Sequence, residues 1–147
     1  MFKHILFPTD GSVLSDKAAR TGIKLAREIG AKVTGYYAVE VFQPAVYGEG
    51  YRIGGATVAV RDRHAKAVGE KHLAKMAKLA KAAGVPFSAV CTKASTPYEG
   101  IIETARKKKC DVIFMASHGR RGLAGLVMGS VTQKVLSHSK LPVLVYR

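Results

Sequence analysis

The sequence is poor in acidic and aromatic residues. It has 10 Asp and Glu against 24 Lys and Arg, a net charge of +14, and 7% aromatic residues with no Trp. This charge favours an anionic partner such as a nucleotide, a nucleic acid or an anionic lipid surface, but does not choose among them. The few aromatic residues argue against specific recognition of single strands, which needs stacking platforms. Specific nucleic-acid binding is therefore not expected.

The sequence also has few cysteines and no long apolar run. Cys91 and Cys110 fit neither a disulfide framework nor a metal site, and we expect reduced thiols. No run reaches the roughly 18 apolar residues of a membrane span, and the run before Pro8 is too short for a signal peptide. The expectation is a cytoplasmic protein without a membrane segment.

Several catalytic motifs are missing. There is no Gly-x-x-x-x-Gly-Lys-[Ser/Thr], no Gly-x-Gly-x-x-Gly after the first strand, and no Gly-x-Ser-x-Gly. Fast phosphoryl transfer also needs a residue that orients the nucleophile, and we find no candidate. We therefore expect a site that holds a ligand, with at most slow hydrolysis. A nucleotidyl transferase would need a catalytic loop that is not seen.

What is present is an alternation of strand and helix patterns in one domain, residues 1–147. Strands are predicted at 4–7, 32–41, 85–91, 112–115 and 141–146, and helices at 13–29, 60–83, from 96, and at 130–137. At the start of the third helix, Thr96 with Glu99 predicts a capping box, and Pro97 is predicted to occupy the first helical position. Residues 42–59 read as a long loop, whose Tyr47 and Tyr51 are candidates to cover a bound base. This βαβαβαβαβ order predicts a five-stranded parallel sheet with helices on both faces.

The second helix has one apolar and one basic side. Its apolar residues step by three and four, and the predicted buried face is Ala65, Val68, His72, Met76, Leu79 and Ala83. The opposite side is rich in lysine: Lys66, Lys71, Lys75, Lys78 and Lys81, with Glu70. We interpret it as a solvated face, with a nucleic-acid role as the weaker alternative.

A glycine-rich basic segment follows the fourth strand. Gly119, Gly122, Gly125 and Gly129 allow close backbone approach, and Ser130 with Gln133 predicts a capping box. Free N–H groups before a helix N-terminus form an anion site, and Arg120 and Arg121 add charge. A phosphate site is the first hypothesis. A flexible surface loop with two solvated arginines is the alternative.

Asp10 and His118 are the titratable candidates near this site. Asp10 follows the first strand, at the sheet edge where ligands bind in open α/β folds. It is suited to a ribose hydroxyl or a phosphate-bound divalent ion, unless Asp10 or Ser12 merely caps the next helix. His118 is a candidate phosphate contact or base, although a structural hydrogen bond is the favoured interpretation.

The segment resembles the nucleotide-binding signature of the universal stress protein (UspA) family, ATP-binding subgroup. That signature is Gly-x-x-Gly, nine residues, then Gly-Ser or Gly-Thr. Here it reads Ala116-Ser117-His118-Gly119, nine residues, Gly129-Ser130, with Ala116 in place of the first glycine. Residues 4–12 and 141–146 also resemble the family, so the resemblance covers essentially the whole chain.

The resemblance implies an adenine nucleotide α-hydrolase-like, Rossmann-like fold that binds ATP, with Mg or Mn on its phosphates. It implies a stress-response switch that forms homodimers through the last strand. The nucleotide-binding residues that it implies are Pro8, Thr9, Asp10, Ala38, Val39, Met115, Ala116, Ser117, His118, Gly119, Arg120, Arg121, Gly129, Ser130 and Val131.

Two other functions stay open. One is a family member without nucleotide that acts through dimerisation and protein contacts, which Ala116 at positive φ would favour. The other is a polyanion-binding protein driven by its charge.

Overall fold

A computed structural model describes residues 1–41, 55–119 and 128–147. Strands and helices alternate along the chain. The strands are β1 (His4–Pro8), β2 (Lys32–Glu40), β3 (Phe87–Ala94), β4 (Val112–Ala116) and β5 (Val143–Tyr146). The helices are α1 (Val13–Ile29), α2 (Gly55–Ala82), α3 (Pro97–Lys107) and α4 (Ser130–His138).

The five strands form one parallel sheet in the order β3-β2-β1-β4-β5. β1 and β4 lie side by side at its centre, with Ile5 opposite Val112. The chain therefore builds outward from β1 through β2 to β3, then crosses back to β4 and β5. The predicted fold class is confirmed.

Alternate residues of the central strands face opposite sides of the sheet, as a pleated strand requires. Ile5 and Phe7 pack with α1 and α2, whereas Leu6 packs with Ile101 of α3 and Val135 of α4. Burial on both faces explains the continuous apolar runs in these strands. The helices thus cover both faces, two on each.

The turn after β1 is fixed by local capping. The Ser12 hydroxyl accepts a hydrogen bond from the Ser15 N–H at 3.1 Å and so caps α1. Gly30 ends the helix at φ 66° in the left-handed conformation that glycine adopts without strain. α1 therefore starts within five residues of the end of β1.

The predicted bounds of two elements were wrong. α2 begins at Gly55 rather than residue 60, and β3 spans Phe87–Ala94 rather than 85–91. The buried line of α2 is Gly69, Leu73, Met76 and Ala80, so only Met76 of the predicted face is fully buried.

The capping box predicted at α3 is also wrong. Thr96 is the N-cap, but its side chain makes no cap hydrogen bond to the backbone. Its hydroxyl instead donates to the Glu99 carboxylate at 2.8 Å. Pro97 does occupy the start of the helix, as predicted.

A network of polar side chains, buried at His4 and Thr34 and exposed at Ser88, links three strands near the amino-terminal edge of the sheet. The His4 Nε2 lies 2.8 Å from the Thr34 hydroxyl, which lies 2.8 Å from the Ser88 hydroxyl. The His4 N–H donates to the Asp111 carboxylate. Burial lowers the pKa of the His4 imidazole below its ordinary 6.5, and the Lys32 charge lowers it further. This histidine is therefore held neutral inside the fold.

Both cysteines are free, and burial suppresses their reactivity. Burial raises the pKa of the Cys110 thiol to about 11 and also raises the pKa of Cys91. Because the thiolate is the reactive form, both act in the folded chain as small apolar side chains.

Candidate functional site

A cleft of about 330 Å³ opens at the carboxyl edge of the sheet, where the strand order reverses between β1 and β4. Open α/β sheets bind ligands at this point, because the loops that follow the two strands leave in opposite directions. The cleft receives residues from β1, β2, β4 and α4, and from the segments that follow β1 and β4.

The structure brings most of the predicted site residues together here. Eleven of the fifteen line the cleft: Pro8, Thr9, Asp10, Ala38, Met115, Ala116, His118, Gly119, Gly129, Ser130 and Val131. Val39 and Ser117 are buried and do not line it. Arg120 and Arg121 lie outside the described residues, as do Tyr47 and Tyr51.

Asp10 lies at the mouth of the cleft, and the cap of α1 belongs to Ser12. One Asp10 carboxylate oxygen accepts the Ser12 N–H at 3.0 Å, which fixes the turn. The Thr9 hydroxyl lies 2.7 Å from the Ser15 hydroxyl and accepts the Gly11 N–H. The turn is therefore preorganised, with a carboxylate facing the cleft.

Gly119 is required by its contact with Asp10. A Cβ atom at position 119 would lie 2.1 Å from the Asp10 Oδ2, well inside van der Waals contact. The glycine therefore lets the segment after β4 approach the carboxylate that follows β1. The contact that explains glycine here is with a protein carboxylate, whereas the sequence predicted close approach to a ligand.

α4 points its N-terminus at the cleft without a side-chain cap. Gly129 is the N-cap and Ser130 the first helical residue, so the predicted Ser130–Gln133 capping box is wrong. The N-cap has no side chain, and Gln133 lies four residues after it instead of the three that a capping box needs. The Gln133 side chain donates to the Met128 carbonyl instead.

One N–H group of the predicted anion site already has a partner inside the protein. The Gly129 N–H donates to the Ser117 carbonyl at 2.8 Å, so it holds the loop rather than a ligand. The N–H groups of Ser130 and Val131 belong to the first turn of α4, and N–H groups in a first turn have no acceptor within the helix. Both residues line the cleft.

Ala116 occupies an ordinary strand position. It is the last residue of β4 and pairs with Tyr146 of β5. Lys109 is the only non-glycine residue at positive φ in the ranges that the structure describes. The alanine therefore brings no backbone strain, and the residue contributes to the cleft wall.

The end of β2 presents backbone groups to the cleft. The Thr9 N–H donates to the Tyr36 carbonyl at 2.9 Å, so Tyr36 turns its backbone toward β1. Backbone direction alternates along a strand, so Ala38 has the same orientation as Tyr36, and β1 has ended at Pro8. Val39 turns its backbone toward β3, where its partner strand continues. Ala38 thus offers one donor and one acceptor at the cleft.

Two tyrosines of the cleft wall, Tyr36 and Tyr37, were not predicted as site residues. The Tyr36 hydroxyl lies 3.0 Å from the Thr92 hydroxyl, and burial raises the pKa of its phenol. The Tyr37 ring stacks on the His72 ring, with centroids 6.1 Å apart. Both residues read only as strand apolar residues, because their partners are distant in sequence. Glu40 and Thr132 also line the cleft and were not predicted as site residues.

His118 makes a hydrogen bond within the protein, as expected if its role is structural. Its Nδ1 lies 3.1 Å from the Ser117 hydroxyl, while the residue remains part of the cleft wall. Among residues 1–41, 55–119 and 128–147, no cluster of three His, Cys, Asp or Glu is placed to hold a metal. A cation at this site would therefore need oxygens from the ligand itself.

Sheet order, helix placement and a cleft at the reversal point define the doubly wound, Rossmann-like class of α/β proteins. Within that class, the chain belongs to the universal stress protein family, whose model matches residues 1–147.

Relatives and solved structures agree with this assignment. The chain is 35% identical to universal stress protein MJ0531 of Methanocaldococcus jannaschii over 147 residues, covering all of the chain and 83% of that protein. It superposes on a universal stress protein in complex with cAMP at TM-score 0.72 and 24% identity, covering 99% and 97% of the two chains. A universal stress protein of Archaeoglobus fulgidus in complex with dAMP gives TM-score 0.64 at 14% identity, covering 100% and 98%.

In the part of the chain that the structure describes, none of the helices is both long and apolar enough to cross a membrane.

Proposed function

We propose that the cleft between β1 and β4 binds an adenine nucleotide, ATP in the first place, and that the protein acts as a nucleotide-dependent switch or binding protein in the stress response of the cytoplasm. One observation carries this proposal. The N-terminus of α4 and the Asp10 carboxylate face one cleft at the point where the sheet order reverses.

Each part of a nucleotide has a suitable group in this cleft. The N–H groups of Ser130 and Val131, with the Ser130 hydroxyl, suit the phosphates. Asp10 suits a ribose hydroxyl, or Mg or Mn held by the phosphates. The backbone donor and acceptor of Ala38 match the adjacent acceptor and donor on the edge of adenine.

The relatives support the same ligand class. One structural neighbour is described in complex with cAMP and another in complex with dAMP, and both carry an adenine base. Ala116 does not oppose binding, since its backbone is unstrained. The form of the family without nucleotide, which positive φ at Ala116 would have favoured, therefore lacks that support.

We propose that the site binds the nucleotide and hydrolyses it slowly at most. Phosphoryl transfer needs a group that orients the attacking nucleophile. In the described cleft wall His118 is the nearest candidate, and its Nδ1 is engaged with Ser117. Slow hydrolysis is the most that this arrangement supports.

The test is a titration that separates charge at the α4 N-terminus from charge elsewhere on the same helix. Ser130→Asp places a carboxylate where the phosphates are proposed to lie, and an acidic residue there suits the helix dipole, so the fold is retained. We expect Mg-ATP affinity to fall at least about tenfold, equal to about 1.4 kcal/mol.

Ser137→Asp is the matched control, because it makes the same change at an exposed position in the last turn of α4, outside the cleft. Its affinity should stay close to that of the unchanged protein. Calorimetric titration with Mg-ATP and Mg-GTP, after analysis of co-purified nucleotide, gives the result. Equal ATP affinity in the Ser130→Asp protein and the control would contradict the phosphate position.

We also propose that β5 forms the surface of a homodimer. It is an edge strand of the sheet, and Leu144 on it is 37% exposed. An exposed apolar edge strand is a template for pairing with a second strand.

A further inference from the structure

Positive charge is concentrated on the face of the sheet that α1 and α2 cover. These two helices carry eleven Lys and Arg residues against four Asp and Glu. α3 and α4, on the opposite face, carry three against two. Half of the net charge of +14 therefore lies on two neighbouring helices.

On α1 the cations form one line along the solvent side. Lys17, Arg20, Lys24 and Arg27 are all exposed, at intervals of three and four residues. Such intervals place side chains on one helix face, and this line extends over about three turns. The buried residues Ala18, Gly22 and Ala26 lie on the other side, against the sheet.

α2 carries a second line beside the first. Lys71, Lys75, Lys78 and Lys81 are exposed at the same kind of interval. The Lys75 ammonium contacts the Asp16 carboxylate of α1 at 2.5 Å, which ties the two helices together. We name these eight cations the α1–α2 basic face. Within it Asp16 is matched to one lysine, so most of the positive charge is not neutralised by that contact.

The residue composition of the α1–α2 basic face favours one class of polyanion over the others. Neither α1 nor α2 contains a Phe, Tyr or Trp, so the face has no platform on which unpaired bases would stack. The apolar sides of both helices are buried against the sheet, so they cannot insert into a lipid surface. Two lines of cations repeating at about 5 Å per turn suit the dense phosphates of a duplex.

We propose that the α1–α2 basic face binds duplex nucleic acid through the backbone phosphates, without sequence preference. None of the eight cations lines the nucleotide cleft, so this surface is separate from the proposed ATP site. The inference does not rest on nucleotide binding, and the two are tested by different titrations.

The experiment measures anisotropy of a fluorescent duplex of about 20 base pairs, as DNA and as RNA, over a range of salt. The test variant combines Arg20→Gln, Lys24→Gln and Lys78→Gln on the basic face. The control combines Arg106→Gln, Lys134→Gln and Lys140→Gln, three exposed cations outside that face. Both variants have the same reduction in net charge, and glutamine suits a helix, so both should fold.

The unchanged protein should bind with an affinity that falls steeply with salt. For each phosphate that the protein no longer neutralises, the slope of log affinity against log salt should fall by about 0.9. The slope of the test variant should therefore be smaller by about two to three units, and its affinity at ~0.1 M salt at least about tenfold weaker. The control should keep the slope of the unchanged protein.

Three results would overturn the proposal. Equal weakening in both variants would mean that overall charge, and not this face, determines binding. Tighter binding of a single strand with the same number of phosphates would exclude the duplex as the preferred ligand. Displacement of the duplex by vesicles of phosphatidylserine and phosphatidylcholine at matched charge would assign the face to a membrane surface. Thermal melts and Mg-ATP titrations of both variants show whether fold and cleft are intact.

Discussion

At the scale of single residues, Gly22 shows how closely α1 packs on the sheet. A Cβ atom there would lie 2.1 Å from the Phe7 ring, which is 1% exposed and packs against the Phe114 ring at 5.0 Å. We expect Gly22→Ala to lower the free energy of unfolding by about 1–3 kcal/mol, because neither ring can move aside.

Gly55→Ala is the matched control, since a Cβ atom at that position meets none of the residues that the structure describes within 4 Å. Its effect should stay within about 0.5 kcal/mol. Urea unfolding of the three proteins gives the comparison. Equal midpoints for Gly22→Ala and Gly55→Ala would show that the helix moves away from the sheet at little cost.

Single residues also show how much of the cleft could be predicted from the sequence. Asp10 follows a short apolar strand and Gly119 follows another, so local pattern alone places both at the sheet edge. The use of the Gly129 N–H by the Ser117 carbonyl could not be foreseen, because it depends on how the loop folds back. Tyr36 and Tyr37 were missed because their partners come from other strands and helices.

At the scale of elements, the hydrogen-bonded side chains of His4, Thr34 and Ser88 join β1, β2 and β3. The titration of His4 within this network makes the stability of the fold depend on pH. In the unfolded chain His4 takes up its proton near its ordinary pKa of 6.5, whereas in the folded chain burial keeps it neutral to lower pH. The unfolded state therefore binds more protons in that window, and stability falls as pH falls below about 6.5.

We expect the unfolding free energy to decrease from about pH 7 to about pH 5, and His4→Gln to flatten part of that decrease. Glutamine retains a donor and an acceptor for the Thr34 hydroxyl but does not titrate. Denaturant unfolding at each pH measures the effect. His64→Gln, an exposed position on α2, is the control, and identical pH profiles for the two variants would exclude His4 as the source.

α2 shows why the buried face of a helix is harder to predict than the order of the elements. The helix is rich in alanine, so several faces look equally apolar in the sequence. Gly69 belongs to the buried line because the Tyr37 ring lies against it, only 2.4 Å from where a Cβ atom would stand. A contact between a helix and a distant strand thus decided which face turned inward, and the local pattern could not show it.

At the scale of the whole molecule, the proposed dimer surface on β5 can be tested by one substitution. If the exposed edge of β5 pairs with that of a second chain, Leu144→Asp should shift the protein toward monomer, because it places a charge in the apolar contact. Sedimentation velocity at several concentrations measures this shift.

Val60→Asp is the control, because Val60 is 57% exposed on α2, which packs over β2 and β3 at the other end of the sheet. It should leave the mass unchanged. A Leu144→Asp protein that remains dimeric would rule out the β5 surface as the interface.

The pairing of β1 with β4 also has a consequence for the growing chain on the ribosome. His4 and Asp111, at the start of these paired strands, are 107 residues apart. At a synthesis rate of about 5–20 residues per second, β1 waits roughly 5–20 s for its central neighbour. The nascent chain therefore has no complete cleft to offer a nucleotide during that interval, and ligand binding can stabilise only a nearly finished protein.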